Sequence, residues 1–234
     1  MNELIQFDKE LLLMLNGSDS VFLDGVVLVL TNAKTWIPLY LSLLYVVIRN
    51  NINWRTIFLV IASAALLVLL AGTVDDEIVK PLVARWRPTH DPQIGHLVDV
   101  VNDYRGGSYG FFSAHASNTF SVALFFSLLV RSRELTFVLV SYSLVNCWTR
   151  MYLGVHYPGD ITVGLLWGAI VATSVYFLFL YVNGRWVGNR RYSSPGLTSS
   201  GYTYRSVHVV TGVLLITLVY ALVRGYLFMQ NNLA

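Results

Sequence analysis

The stretch WRTIFLVIASAALLVLLAGTVDDEIVK (residues 54–80) decides how this chain folds. Residues 56–74 carry no charged side chain, and an α-helix needs about 20 apolar residues to cross a bilayer. The stretch therefore predicts a membrane-spanning helix. Its last residues are three acids and a lysine, which are unusual at that depth because charges inside a bilayer are costly.

The composition extends this prediction to the whole chain. Of its 234 residues, 55% are hydrophobic and 12% are charged, which leaves too little polar surface for a soluble domain of this length. The first of the recurring apolar runs is short, and residues 21–33 can extend it. The sequence predicts an all-α fold, a six-transmembrane helical bundle in a single domain over residues 1–234. The predicted spans lie at about 34–49, 54–79, 113–131, 135–150, 160–183 and 206–228.

The N-terminal residues 1–16 (MNELIQFDKELLLMLN) predict a helix of a different kind. It starts acidic and lacks a small-residue cleavage site, so it does not resemble a signal peptide. The pattern fits an amphipathic helix that lies in the membrane interface, and equally an ordinary packing helix. Its apolar face collects Leu4, Phe7, Leu11 and Leu15.

Cysteine usage and charge exclude two further classes. Cys147 is the only cysteine, so a disulfide framework and a cysteine-based metal site are excluded. The net charge is +3, but no basic stretch with interleaved aromatic residues occurs outside the predicted spans. We therefore expect no nucleic-acid partner.

Six spans would place the connection 86–112 and the turn after residue 150 on the same side of the membrane. The opposite side carries eight arginines against a single acid, Glu134, and the positive-inside rule makes that side cytoplasmic. Both motif-bearing connections and both chain ends would then face outward. The eight are Arg49, Arg55, Arg131, Arg133, Arg185, Arg190, Arg191 and Arg205.

Cations cluster on the outward side in KPLVARWRP (residues 80–88). If this segment is helical, Lys80 and Arg87 share one face, two turns apart. Arg85 would point away, and we interpret it as a side chain that reaches the lipid headgroups. Pro88 then ends the helix.

The acids that precede this segment are Asp75, Asp76 and Glu77. Asp76 and Glu77 lie within helical reach of Lys80. We interpret the three acids as structural, as residues that position Lys80 or pair with basic neighbours.

The segment FFSAHASNTF (residues 111–120) starts a long apolar run. Ser113 is a favoured N-cap, and the first turn of the helix it begins has free backbone N–H groups that can bind an anion. His115 would lie in that turn. Taken alone, the segment fits a simple helix cap followed by a buried histidine with a partner.

The segment TRMYLGVHYPGD (residues 149–160) carries Arg150 at the end of one span and His156 six residues later. Pro158 suits the first turn of the next helix. Asp160 is placed to hold one imidazole nitrogen of His156 and to aim the other into a site. Alternatively, the pair only ties a turn to a helix.

Together these segments predict one site, with three cations, a helix N-terminus, two histidines and a carboxylate on one membrane face. So many cations repel a metal ion, and a phosphate fits better. We expect no metal and no cofactor. His90 and His96, on the connection, are interpreted as surface residues.

These segments resemble the three motifs of the type 2 phosphatidic acid phosphatase (PAP2) superfamily, which also contains the soluble vanadium haloperoxidases. The resemblance covers about residues 75–165, and the N-terminal FDKELLLMLNG with Asp24 and Thr31 also resembles bacterial members. The motif residues read Lys80-x6-Arg87-Pro88, Phe112-Ser113-Ala114-His115 and Thr149-Arg150-x5-His156-x3-Asp160. Phe112, Ala114 and Thr149 replace the family's Pro, Gly and Ser, and none of these departures removes a catalytic side chain.

The resemblance implies a role for each motif residue. His156 would attack phosphorus and form a phosphohistidine, Asp160 would orient it, and His115 would act as general acid and then general base. The phosphoryl oxygens would be held by Lys80, Arg87, Ser113, Arg150 and the backbone N–H of Ala114.

The predicted function is therefore hydrolysis of a phosphomonoester or pyrophosphate of a membrane lipid, without metal. Candidate substrates are phosphatidate, phosphatidylglycerol phosphate, undecaprenyl (di)phosphate and lipid A phosphate. The resemblance places the protein in a bacterial inner membrane with its site facing the periplasm. Two alternatives are a lipid phosphotransferase that uses the same phosphohistidine, and a non-catalytic membrane protein that binds anionic lipid.

Overall fold

The computed structural model describes residues 2–184 and 194–233, and this part of the chain is all-helical, as predicted. Within it, the two antiparallel bridges are isolated. A π-helical segment, Leu69–Val79, joins α4 to α5. The helices are α1 (Asn2–Leu15), α2 (Val21–Leu30), α3 (Ile37–Asn50), α4 (Trp54–Val68), α5 (Lys80–Val83), α6 (Ala114–Val130), α7 (Arg133–Tyr152), α8 (Pro158–Val182) and α9 (Tyr204–Leu233). Three of the arginines behind the predicted orientation, Arg185, Arg190 and Arg191, lie outside the described residues.

Three described helical stretches are long and apolar enough to cross a membrane: Trp54–Val83, Pro158–Val182 and Tyr204–Asn232. The pair Val21–Leu30 and Ala33–Asn50 passes the same test only when the two helices are taken together, and they are bent by 66° relative to each other. That residues 21–33 extend the first span stays a prediction. Of the other two predicted spans, α6 is apolar but has 17 residues, and α7 does not meet the test. The described residues thus contain three or four candidate spans, and the count of six stays a prediction.

The short helix α6 lies at the centre of the fold, where 11 of its 17 residues are buried. It packs against α7, α8 and the π-helical segment. Glycines on α8 allow the close approach: a Cβ at Gly164 would lie 2.7 Å from the carbonyl oxygen of Ser113, and one at Gly168 would lie 2.6 Å from that of Ser117. Small residues let helix backbones approach closely in membranes. This contact holds the N-terminal ends of α6 and α8 together.

The helix that carries Lys80 ends earlier than the sequence predicted. Ala84 adopts a left-handed conformation with φ of 48°, and α5 ends there. The chain then pairs with residues 108–110: Arg87 N–H donates to the Ser108 carbonyl and Gly110 N–H donates to the Arg85 carbonyl, both at 2.9 Å. The prediction that Lys80 and Arg87 share a helical face is therefore wrong, because this backbone pairing replaces the helix before Pro88.

The connection 86–112 folds over the turn between α7 and α8. The Thr89 N–H donates to the Gly154 carbonyl at 3.2 Å, and Ile94 and Val98 pack with Leu12 of α1 and Tyr157. The connection and α1 therefore both contact the turn that carries His156.

Candidate active site

His156 lies in the turn between α7 and α8 and is only 2% exposed. Its Nε2 atom is 3.3 Å from Nη1 of Arg87, so this nitrogen faces the cations. Burial, and next the charges of Arg87, Arg150 and Lys80, hold the pKa of His156 well below its ordinary value of 6.5. At neutral pH the imidazole is therefore uncharged, which leaves a nitrogen lone pair available for attack.

Arg87 and Arg150 have no carboxylate partner among the described residues. Arg87 donates to the carbonyls of Tyr109 (3.1 Å) and Val155 (3.2 Å). Burial, and next the charge of Arg150, lower the pKa of Arg87. Each guanidinium thus lacks a direct carboxylate contact among the described residues.

Arg150 is only 3% exposed, and neutral groups hold it. Its Nη1 donates to the Thr31 hydroxyl (2.5 Å), at the break between α2 and α3, and to the Tyr104 hydroxyl (3.0 Å). Its Nε atom is buried without a hydrogen-bond partner. A buried charged donor without a partner is costly, so this group is suited to an anionic ligand.

Lys80 is paired, and of its two partners Asp76 is one that the sequence predicted, whereas Asp75 replaces Glu77. Its ammonium lies 2.8 Å from Asp75 Oδ2 and also contacts Asp76. Asp75 is fully buried, whereas the expected contact with Glu77 is not formed. The π-helical winding explains the change, because an i→i+5 repeat brings positions 75 and 80 onto one face, and the Lys80 N–H bonds the Asp75 carbonyl.

Ser113 caps α6 as predicted, and its hydroxyl accepts from the Ala116 N–H at 3.4 Å. Its own N–H donates to the Asp160 carbonyl at 3.1 Å. The first-turn N–H groups of Ala114 and His115 lack helical acceptors and are therefore free for a ligand. The charged and titratable side chains that act on His115 are Arg150, His156, Arg87 and Lys80, so this histidine belongs to the same cluster.

Asp160 lies beside His156 without closing the predicted hydrogen bond. Its Oδ2 is 3.7 Å from His156 Nδ1, which has no hydrogen-bond partner. That Oδ2 accepts from the Tyr157 N–H at 2.9 Å, and Oδ1 pairs with Arg85 at 2.7 Å. The carboxylate is thus held by the start of α8 and by Arg85, at a distance from which its charge still acts on the imidazole.

The interpretation of Arg85 as a side chain that reaches lipid headgroups is wrong. Its guanidinium bonds both Asp160 and Asp8 at 2.7 Å. The contact of Thr31 with Arg150 was not predicted, since a hydroxyl in an apolar run is a weak signal. In addition, Phe112, which replaces a family proline, is buried against Trp167.

The described residues contain no group of three or more His, Cys, Asp or Glu side chains placed to hold one metal ion. The cations around the two histidines favour an anion at this position. That catalysis needs no metal stays a prediction, which a chelator tests.

A mostly apolar cavity of about 470 Å³ borders His115. It lies between α3, α4, α6 and α7, and its apolar walls include Leu43, Val60, Val122 and Phe126. The polar groups on its wall include Asn118 and Asn146. An apolar space that borders a histidine of the cluster suits an amphiphile whose headgroup lies in the cluster.

The buried neutral His156 lies near Arg87 and Arg150, which have no carboxylate partner among the described residues. This arrangement, at the ends of long apolar helices, is suited to bind an anion. Comparison with known proteins identifies the class. The sequence model of the PAP2 superfamily matches residues 53–184, and the chain belongs to that superfamily.

Relatives support the same assignment. The chain is 33% identical to a lipid A 4'-phosphatase of Bacteroides thetaiotaomicron over 225 residues, which are 95% of this chain and 98% of that protein. It is also 33% identical to a lipid A 4'-phosphatase of Porphyromonas gingivalis, with 90% and 88% covered. A decaprenylphosphoryl-5-phosphoribose phosphatase of Mycobacterium tuberculosis matches at 38% over 98 residues, 42% of this chain and 50% of that protein. No solved structure gives a significant match.

The chain is therefore a phosphoric monoester hydrolase of the PAP2 superfamily. Its family and relatives identify it as a lipid phosphatase. Its long apolar helices indicate a membrane protein.

Proposed function

We propose that this protein removes a phosphate monoester from a glycolipid of the lipid A type, through a phosphohistidine at His156. The observation that carries this proposal is the neutral His156 beside Arg87 and Arg150, two guanidiniums without carboxylate partners. A phosphate monoester supplies the negative charge that this pocket lacks, and its phosphorus would lie next to the imidazole nucleophile.

In the first step, the Nε2 lone pair of His156 attacks phosphorus and the bond to the lipid oxygen breaks. His115 takes up a proton when the phosphate dianion binds and offsets the neighbouring cations, and it gives this proton to the departing alkoxide, so the leaving group is a neutral alcohol. Asp160, 3.7 Å from Nδ1, stabilises the positive charge that develops on the imidazole.

In the second step, neutral His115 takes a proton from water, and the water oxygen attacks the phosphohistidine. The P–N bond breaks, its electron pair returns to His156, and inorganic phosphate leaves. In both steps the spreading negative charge is stabilised by Lys80, Arg87, Arg150, Ser113 and the N–H of Ala114.

Two observations support a lipid A phosphate as the substrate among the four candidate lipid phosphates. The two long matches, which cover 90% or more of this chain, are both lipid A 4'-phosphatases. The apolar cavity beside His115 has room for part of an acyl chain next to the reacting headgroup.

We also propose six membrane spans, in which α6 and α7 are the third and fourth, and an α1 helix that lies in the membrane interface. The central position of α6 supports this, because a helix packed among candidate spans lies at their depth. The site would then face outward, to the periplasm, and the arginine-rich side would face the cytoplasm of a bacterial inner membrane.

The test is phosphate release by the purified protein in detergent with EDTA present, from the four candidate lipids. We expect release from lipid A 4'-phosphate to be fastest, to be unchanged by EDTA and to vanish in His156→Ala. Release that EDTA abolishes, or that persists in His156→Ala, would contradict the mechanism. Faster release from another lipid would contradict the substrate.

A further inference from the structure

Helix α1 points two of its charged residues, Asp8 and Lys9, toward the protein. Leu4, Phe7 and Met14 are 75%, 61% and 83% exposed. In contrast, the side chains of Asp8 and Lys9 keep only 15% and 10% of their accessible surface. Charged side chains are seldom buried unless they are paired, so the inward face of α1 is built around specific ion pairs.

Asp8 is the side chain that connects α1 to the start of α8. Its Oδ1 accepts from the Gly159 N–H at 2.7 Å, and its Oδ2 pairs with Arg85 at 2.7 Å. Lys9 adds a second connection, because it pairs with Asp91 at 2.8 Å, and Asp91 accepts from the Tyr157 hydroxyl at 2.7 Å. Both connections end within four residues of His156.

Arg85 bridges Asp8 to the carboxylate beside His156. Its Nη1 bonds Asp160 Oδ1 and its Nη2 bonds Asp8 Oδ2, while its guanidinium lies 4.2 Å above the Tyr157 ring. A planar guanidinium can hold two acceptors in fixed directions, which a lysine ammonium cannot do. Asp160 is fully buried, and both its oxygens are already engaged.

We propose that Arg85 and Asp8 are positioning residues for the hydrolysis, acting through Asp160 on His156. This inference rests on the proposed function. Arg85 holds Asp160 beside the imidazole, and Asp8 shares the charge of Arg85, so Asp160 keeps enough negative charge to stabilise the imidazolium that forms during turnover. Without Asp8, Arg85 would neutralise Asp160 alone and draw it away from His156.

The test compares Asp8→Asn, Arg85→Lys and the control Glu10→Gln with the unchanged protein. Glu10 lies on the same helix, is exposed, and bonds only Gln6 among the partners described. We expect Asp8→Asn and Arg85→Lys to lower kcat about tenfold, with KM within about twofold, because the phosphate ligands are untouched. Glu10→Gln should match the unchanged protein.

Each variant is assayed well below its own melting temperature in detergent, so that lost folding is not counted as lost catalysis. A kcat for both variants within about twofold of the unchanged protein would overturn the inference, and so would a lower melting temperature with unchanged kcat. If Asp8→Asn does not fold, Arg85→Lys alone decides. If the unchanged protein releases no phosphate from any lipid, the proposed function fails instead.

Discussion

Arg85 and Arg150 belong to the same site, and their surroundings are opposite. Arg85 bonds two carboxylates, Asp8 and Asp160. Arg150 is more deeply buried, bonds two hydroxyl groups, and keeps a buried Nε without a partner. The protein itself neutralises Arg85, which therefore supports the structure, whereas Arg150 has no counterion and is available to a ligand. The difference between these two arginines therefore separates a residue that builds the site from one that, in the proposed function, binds phosphate.

The largest effect on stability is expected for Arg85→Met. It leaves the fully buried Asp160 without its cation, and breaking a buried ion pair in this way costs about 3–5 kcal/mol. We expect a clearly lower melting temperature in detergent. Arg105→Met is the matched control, because Arg105 and its partner Asp103 are 47% and 88% exposed, and exposed pairs contribute little. Equal effects of the two substitutions would contradict the structural role of Arg85.

Arg150→Met should lower the activity and leave the stability nearly unchanged. Removal of one charged donor from a phosphate site costs about 2–4 kcal/mol of transition-state stabilisation, so we expect kcat/KM to fall by about 30- to 1000-fold. The melting temperature should change little, because the lost hydrogen bonds are offset by removal of a buried charge without a counterion. A loss of stability as large as that of Arg85→Met would place Arg150 in the supporting group.

The smallest predicted effect concerns pH. Folding buries His156 in its neutral form, so its folded-state pKa lies below the ordinary value of 6.5. Below that pH the unfolded chain binds a proton that the folded protein does not, and stability is lost as the pH falls. One such group lowers the free energy of unfolding by about 1.4 kcal/mol for each pH unit below its unfolded-state pKa. The melting temperature should therefore fall more steeply between pH 7.5 and 5 for the unchanged protein than for His156→Gln. An equal pH dependence of the two proteins would contradict the buried neutral histidine.

The helical class and the grouping of the motif residues could be predicted from the sequence, because both depend on local patterns. Long apolar runs define helices, and Ser113 before such a run predicts the cap that the structure has. Motif spacing placed His156, Arg150 and Lys80 in one cluster, and the structure brings them together.

The supporting residues could not be predicted, because their positions depend on departures from regular helix. Asp75 pairs with Lys80 through a π-helical repeat that an α-helical count does not include. Arg85 reaches Asp160 because Ala84 ends the helix in a left-handed conformation. Asp8 and Thr31 meet the site through contacts that span more than 70 residues of sequence.

The most direct test of the account is to look for the phosphoryl group on His156 during turnover. Protein incubated with lipid A 4'-phosphate is quenched in base, which preserves phosphohistidine, and digested for mass spectrometry. His115→Ala is also incubated with p-nitrophenyl phosphate, whose leaving group needs no general acid, so that only the second step is slowed and the intermediate accumulates. We expect a phosphoryl group on His156, enriched in His115→Ala with this substrate and absent in His156→Ala. Turnover of either substrate with His156 unmodified in both proteins, or with the phosphoryl group on another side chain, would contradict the mechanism.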